Sequence, residues 1–283
     1  MVVGIYDELA LASPRPRFTI GIHDDVTMLS LPYDPSVDIE DPSTLRAVFY
    51  GLGSDGTVGA NKNTVKILGA IENTYAQGYY VYDSKKSGSR TVSHLRFGPT
   101  PIEAPYLISK AGFIGCHHWS ILERVDVLET ARPGTVLLIN TPYEPSEVFT
   151  HLPLPMQSRI IELGVELWAI DANLVARKAG MGRRTNTVLQ TCFFAISNVM
   201  PRAEAIEEVK RTIRKTYARK GADVVAKNEA AVDASIEHLH RIEVPASPVS
   251  DRAMIPPVPD TAPDFVRHVT ASMLLGTGDS LPV

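Results

Sequence analysis

The spacing Gly51-x-Gly53-x-x-Gly56 follows the apolar run Arg46-Ala47-Val48-Phe49-Tyr50 and precedes a helical pattern that starts at Thr57. Such a strand–glycine loop–helix turn suits a phosphate. Glycines let the backbone approach the anion, and the free N–H groups of the first helical turn point at it. The loop is not a P-loop, because no Lys-[Ser/Thr] follows its last glycine; Lys62 comes later and precedes Asn63. A nicotinamide-dinucleotide site is a rival reading. It asks for an acidic residue ending the second strand, about 20 residues on. Asp83 lies further along than that and leads into Lys85-Lys86. A tight turn that only packs helix on strand is the third reading.

Three other clusters carry polar chemistry. Ser84-Lys85-Lys86-Ser87-Gly88 follows the second strand candidate, at the sheet edge where α/β proteins bind ligands, and its lysines suit a phosphate; a solvated turn is the alternative. Gly180-Met181-Gly182-Arg183-Arg184-Thr185-Asn186 is a second glycine-rich entry to a helix, with Thr185 or Asn186 also available as a cap. Cys116-His117-His118 invites a metal, but adjacent strand residues point to opposite faces. Asp24-Asp25 reads as a surface turn, and no Ser-His-Asp set has a recognisable spacing.

These clusters need a scaffold, and the pattern supplies one. Strands are expected near 46–50, 77–82, 91–97, 112–116, 135–140 and 165–170, with a polar turn at 83–89 between the second and third and helices between others, including 57 to about 71 and 156–163. The chain turns helical from residue 185: Thr187–Val199, then Pro201 to about Tyr217, then Ala222–Arg241 after the break at Gly221. This order predicts an α/β fold, Rossmann-like, with a mostly parallel sheet, helices on both faces and closing C-terminal helices. Residues 1–45 read as a proline-rich linker with one short strand, Arg17–Ile22. Residues 46–244 form the domain, and 245–283 an extended proline-rich linker toward a following domain.

Composition narrows the function classes. The chain has 283 residues, 44% apolar and 21% charged, with a net charge of −4, so no broad basic field offers itself to nucleic acid. No apolar run is long enough to span a membrane and no secretory signal opens the chain, so a cytoplasmic address is expected. Two cysteines cannot supply the roughly four thiolates of an iron–sulfur cluster, and a structural zinc is equally unexpected.

The longer motifs point to a family. Phe18–Pro32, Gly51–Lys62, Tyr79–Gly88, Val92–Gly98, Thr191–Ile196 and the Lys220-Gly…Asn228…Ala231-Val-Asp233 run resemble pyruvate:ferredoxin (flavodoxin) oxidoreductases, specifically their internal gamma-subunit-like domain. That resemblance implies an enzyme that decarboxylates a 2-oxoacid on thiamine diphosphate. It passes electrons through [4Fe–4S] clusters to ferredoxin or flavodoxin and hands the acyl group to coenzyme A. It also implies partner domains or subunits and a homodimeric parent. It carries coenzyme A contacts onto Gly53, Ser54, Asp55, Gly56 and Thr57, onto Lys85, and onto Asn186 and Asn228. The thiamine motif, the cluster cysteines and the pyruvate-binding domain are absent from this chain, so catalysis by the chain alone is not expected. Two alternatives stay open: a non-catalytic interdomain scaffold, and an NAD(P)-binding oxidoreductase.

Overall fold

The computed structural model describes residues 1–24, 26–83 and 89–281, which fall into two units, Met1–Glu40 with Ile255–Val283 and Asp41–Met254. The smaller unit holds helix α1 (Val2–Leu9) and a two-residue parallel pairing of β1 (Thr19–Ile20) with β2 (Ser30–Leu31). Asp24 organises the turn between the strands, accepting from the N–H groups of Val26, Thr27 and Leu29 and from the Thr27 hydroxyl. Those donors hold its carboxyl well below the usual carboxylate range.

The larger unit runs β3 (Leu45–Leu52), α2 (Thr57–Leu68), β4 (Tyr75–Tyr82), β5 (Arg90–Gly98), β6 (Ala111–Cys116), α3 (Trp119–Leu122) and β7 (Ala131–Asn140). It continues through α4 (Val148–His151), α5 (Leu154–Leu163), β8 (Glu166–Ile170), α6 (Ala172–Lys178), α7 (Asn186–Ile196), α8 (Arg202–Tyr217), α9 (Ala222–Glu237) and β9 (His240–Arg241). The strands form one sheet in the order β4-β5-β3-β6-β7-β8-β9. Strands β3, β6, β7 and β8 lie parallel side by side, and β4 runs with them; β5 and β9 run the opposite way.

Alternation along the buried strands sends side chains into two apolar layers. Ala47, Phe49, Phe113 and Leu138 face Ile67 and Leu68 of α2 and the helices α6 to α9. Val48, Tyr50, Ile114, Leu137 and Ile139 face α3, α4 and α5. Helix α7 is buried from Thr187 to Ile196 and accordingly carries no charged side chain. Phe193 packs edge-on against Phe113, with ring centres 5.0 Å apart.

Strands β4 and β5, expected on either side of the polar turn 83–89, pair antiparallel. Two local expectations are corrected. The third closing helix stops at Glu237 instead of Arg241. The chain then returns as an edge strand, because the Ile242 N–H donates to the Leu167 carbonyl at 2.8 Å and Ile242 is buried in the second layer. The tail is not extended throughout. A π-type turn at Val266–Thr270 runs into α10 (Ala271–Leu275), in the most apolar part of that segment.

Candidate functional site

The crevice of an open α/β sheet lies where the chain reverses its direction of travel across the sheet. Here β3 sits between β5 and β6. The chain leaves β3 for the β4–β5 side and returns to β6 on the other. The glycine loop follows β3 and His117 follows β6, so both stand at that switch point.

The loop is built tightly. Ser54 has φ +71° and Gly56 has φ +88° as the N-cap of α2. The Asp55 carboxylate accepts from the Leu52 N–H and the Thr57 N–H, each at 2.7 Å, which closes the turn on itself. The Gly53 N–H donates to the Ser89 carbonyl at 2.7 Å and ties the loop to the hairpin. Among the described residues, no partner occupies the N–H groups of Ser54, Gly56, Val58 or Gly59. A Cβ on Gly51 would collide with Thr57 Oγ1 and stand 2.9 Å from Asp55 Oδ2, so glycine is required there for close approach.

Asn186 meets this loop. A Cβ on Gly56 would fall on its carboxamide, so the two are in contact range with nothing between. Asn186 opens α7 after the Gly180–Arg184 loop, where Gly180 and Gly182 both have positive φ. The α2 and α7 N-termini therefore converge, and their partial positive charges add at one point. Thr185 stands at the N-cap without a side-chain capping bond, so the capping alternative is not realised by that residue. Arg183 and Arg184 are exposed.

Asn228 is buried and already engaged. Its Oδ1 accepts from the Thr187 hydroxyl at 3.0 Å, and its Nδ2 donates to the Val224 carbonyl at 2.8 Å. It thus holds the first turn of α7, next to Asn186. A cavity of about 490 Å³ opens beside the loop, lined by Leu52 to Gly56, Val58, Tyr82, Asp83, Ser89 and Thr91. Lys85 and its neighbours Ser84–Gly88 lie outside the described residues; Asp83 and Ser89, which flank them in sequence, both line this cavity.

His117 is the residue that sequence reasoning undervalued. Its Nδ1 shares a 2.9 Å hydrogen bond with Thr57 Oγ1, so β6 grips the first turn of α2. Burial lowers its pKa to about 4, with the Asp55 charge opposing, so the ring is neutral at pH 7. His118 turns the other way and bonds Ser120 Oγ at 2.8 Å. Asn140, at the end of β7, joins the same edge: its Nδ2 donates to the His117 carbonyl and its Oδ1 accepts from the Ala172 N–H, both at 3.0 Å. The available signal was positional. Each is a polar residue ending a buried apolar strand at the ligand edge of the sheet.

Cys116 and Cys192 lie in the two different apolar layers and cannot approach one another. Burial pushes the Cys116 thiol up to about 12 and the Cys192 thiol further in the same direction. No group of three or more His, Cys, Asp or Glu among the described residues could hold a metal ion. No helix among them is long and apolar enough to cross a membrane.

Comparison with known proteins places this architecture. Residues 46–238 match the model of the pyruvate ferredoxin/flavodoxin oxidoreductase family, and residues 251–283 match one described as a domain of unknown function. A pyruvate-flavodoxin oxidoreductase of Rhodospirillum rubrum is 56% identical over the whole chain, which spans 24% of that relative. The chain therefore covers about a quarter of the length of the curated relatives it matches. In fold it is similar to the pyruvate oxidoreductase subunit PORC of Thermotoga maritima, with TM-score 0.55, 16% identity and coverage of 71% of this chain and 99% of that one. It is also similar to part of a 2-oxoglutarate:ferredoxin oxidoreductase from Magnetococcus marinus solved with 2-oxoglutarate, coenzyme A and succinyl-CoA. There the TM-score is 0.51 at 15% identity, covering 76% of this chain and 33% of that one. The glycine-loop domain described above belongs to the pyruvate ferredoxin/flavodoxin oxidoreductase family.

Proposed function

We propose that this chain is the gamma-like domain of a pyruvate:ferredoxin (flavodoxin) oxidoreductase and that its glycine loop holds coenzyme A. The carrying observation is the convergence of two helix N-termini on Gly56, with Asn186 against it and a cavity beside the loop. The open N–H groups of Ser54, Gly56, Val58 and Gly59 suit a diphosphate. The Asp55 carboxylate adds a negative charge at the turn, so the bound anion needs cations from elsewhere; Lys85 takes that role in this reading. Asn186 bonds the ligand directly. Asn228 supports it by holding Thr187.

The parent enzyme in this reading is cytoplasmic and homodimeric. It oxidatively decarboxylates pyruvate, gives the acyl group to coenzyme A and sends the electrons to ferredoxin or flavodoxin. Thiamine diphosphate would supply the carbanion chemistry and [4Fe–4S] clusters the electron path. The clusters belong to other regions of the parent in this reading, since this chain offers only two buried, separated thiols, and so does the thiamine diphosphate site, whose motif this chain lacks. Residues 1–45 and 245–283 then lead from and into neighbouring domains.

The NAD(P) reading loses on topology. Its acidic residue belongs on the strand beside the glycine-loop strand. Here β5 stands between β3 and the strand that Asp83 follows. The scaffold reading is separated by experiment. Calorimetric titration of coenzyme A into the chain should give a saturable isotherm that Gly56→Asp and Lys85→Ala each weaken. No heat at millimolar ligand, with the fold intact by circular dichroism, overturns the proposal.

A further inference from the structure

His117 stands at the foot of the glycine loop with its main chain fixed on both sides. Its N–H donates to the Tyr50 carbonyl at 2.9 Å, and its carbonyl accepts from Asn140 Nδ2 at 3.0 Å. Only the ring is left to respond to what the loop holds. Nδ1 meets the Thr57 hydroxyl, the Thr57 N–H donates to the Asp55 carboxylate, and that carboxylate also accepts from the Leu52 N–H. One chain of hydrogen bonds thus joins β6, α2, the loop and β3. Gly56 and Val58 line the cavity beside the loop, while the Thr57 hydroxyl between them in sequence turns inward to His117.

The other ring nitrogen is unspent. Nε2 is buried and has no hydrogen-bond partner among the described residues, in a side chain only 6% exposed. A Cβ on Gly115 would stand 3.6 Å from it, and the Phe49 ring lies edge-on with centres 5.8 Å apart. These apolar neighbours are the burial that keeps the ring neutral, and Asp55 is the charge that opposes them. Tyr50 on β3 and Cys116 on β6 are themselves held uncharged by burial. From α2 the ring faces the neutral Thr57 hydroxyl, from β7 the neutral Asn140 amide reaches its carbonyl, and His118 is turned away onto Ser120.

An anion on the loop changes this balance. It adds negative charge beside Asp55, in the direction that favours a charged imidazole. The proton also has a place to go. With its hydrogen on Nε2, the neutral ring accepts from the Thr57 hydroxyl at Nδ1. A proton added at Nδ1 makes that nitrogen the donor, and the hydroxyl, which can do both, turns to accept it. The contact with Thr57 survives, and Nε2 is unpaired before and after. We propose that His117 is the buried counter-charge of the glycine loop: an anion settling there draws a proton from solvent onto the imidazole, while Thr57 holds the ring in place. His117 is then a positioning residue that acts through Thr57 and through its charge. The assignment rests on the reading of the loop as the coenzyme A diphosphate site and adds the proton that accompanies binding.

The probe is 3′-dephospho-coenzyme A, whose diester diphosphate keeps its charge across the neutral range, so a proton taken up belongs to the protein. The His117 ring is titrated by NMR in the wild-type chain, its signals assigned through the labelled backbone, with and without saturating probe. Its pKa should rise from about 4 in the free chain to above about 6 in the complex. Calorimetric affinity should then rise about fourfold or more from about pH 8 to about pH 6, because the bound-state pKa lies above the free one. His117→Gln keeps a partner for Thr57 but takes no proton, so it should bind at the higher pH nearly as the wild type does and lose the rise. A ring pKa that bound probe leaves unmoved overturns the inference and leaves the loop reading standing, and so does an affinity rise that persists in His117→Gln. If that variant fails to fold, the wild-type ring titration decides alone. Binding of neither the probe nor coenzyme A, with folding intact, overturns both.

Discussion

Gly56 is the residue on which the site turns. It combines a left-handed backbone with a side-chain position already filled by Asn186. Gly56→Ala should therefore cost about 1–3 kcal/mol in urea unfolding and weaken coenzyme A binding together. Asn186→Ala should weaken binding with little change in the unfolding midpoint, because Asn186 is only half-buried. His117 makes a different prediction. Its pKa is lowered to about 4 by burial, and that of His94 to about 4 by burial and the Arg96 charge. Both are neutral in the fold and titrate near 6.5 when unfolded. Their stability contribution is then complete above pH 6.5. Below that the unfolded chain takes up protons that the folded one refuses, so stability falls between pH 6.5 and 4. Urea midpoints across that window should show the decline, and His117→Gln should make it shallower, leaving the His94 share. A midpoint independent of pH there would refute the buried neutral state. The glycine spacing was legible in the sequence because backbone freedom is written in residue type. The His117–Thr57 bond was not, because the two lie far apart in the chain and meet only when β6 pairs with β3.

Among elements, α7 does most of the positioning. It is buried along its length, brings Asn186 to Gly56, and is held at its first turn by Asn228 on α9. Asn228→Ala leaves the Thr187 hydroxyl and the Val224 carbonyl without that partner. It should cost about 1–3 kcal/mol and weaken coenzyme A binding as well, whereas a direct ligand contact would change affinity alone. Thermal melts set beside calorimetry separate the two outcomes. Phe193→Ala, in the middle of α7, should cost about 3–5 kcal/mol through the void it leaves between Phe49, Phe97 and Phe113. The existence of α2, α7 and α8 could be read from periodicity and from Gly and Pro signals. The strand, polar turn and strand of β4 and β5 could be read as well, but not the insertion of β5 between β4 and β3, which pairs residues far apart in the chain. Nor could β9, whose two residues gain their strand character only from the β8 edge.

For the molecule as a whole, the larger unit contains both apolar layers and the loop, so a chain cut to residues 41–254 should unfold cooperatively and still titrate coenzyme A. Loss of cooperative melting in that truncation would show that the flanking segments are needed for its stability. Both thiols should resist a disulfide reagent until the chain unfolds, since both are buried and their pKa values are raised. The sequence by itself determined the α/β class, the glycine loop and the absence of a cysteine set for a cluster. These follow from local periodicity, backbone freedom and residue counts, which need no knowledge of what touches what. Only the tertiary structure decided that β5 inserts beside β3, that two helix N-termini converge on Gly56, and that Asn228 bonds Thr187. Sheet order and helix convergence depend on contacts between residues far apart in the chain. The burial of whole layers chooses those contacts, and no local pattern encodes it.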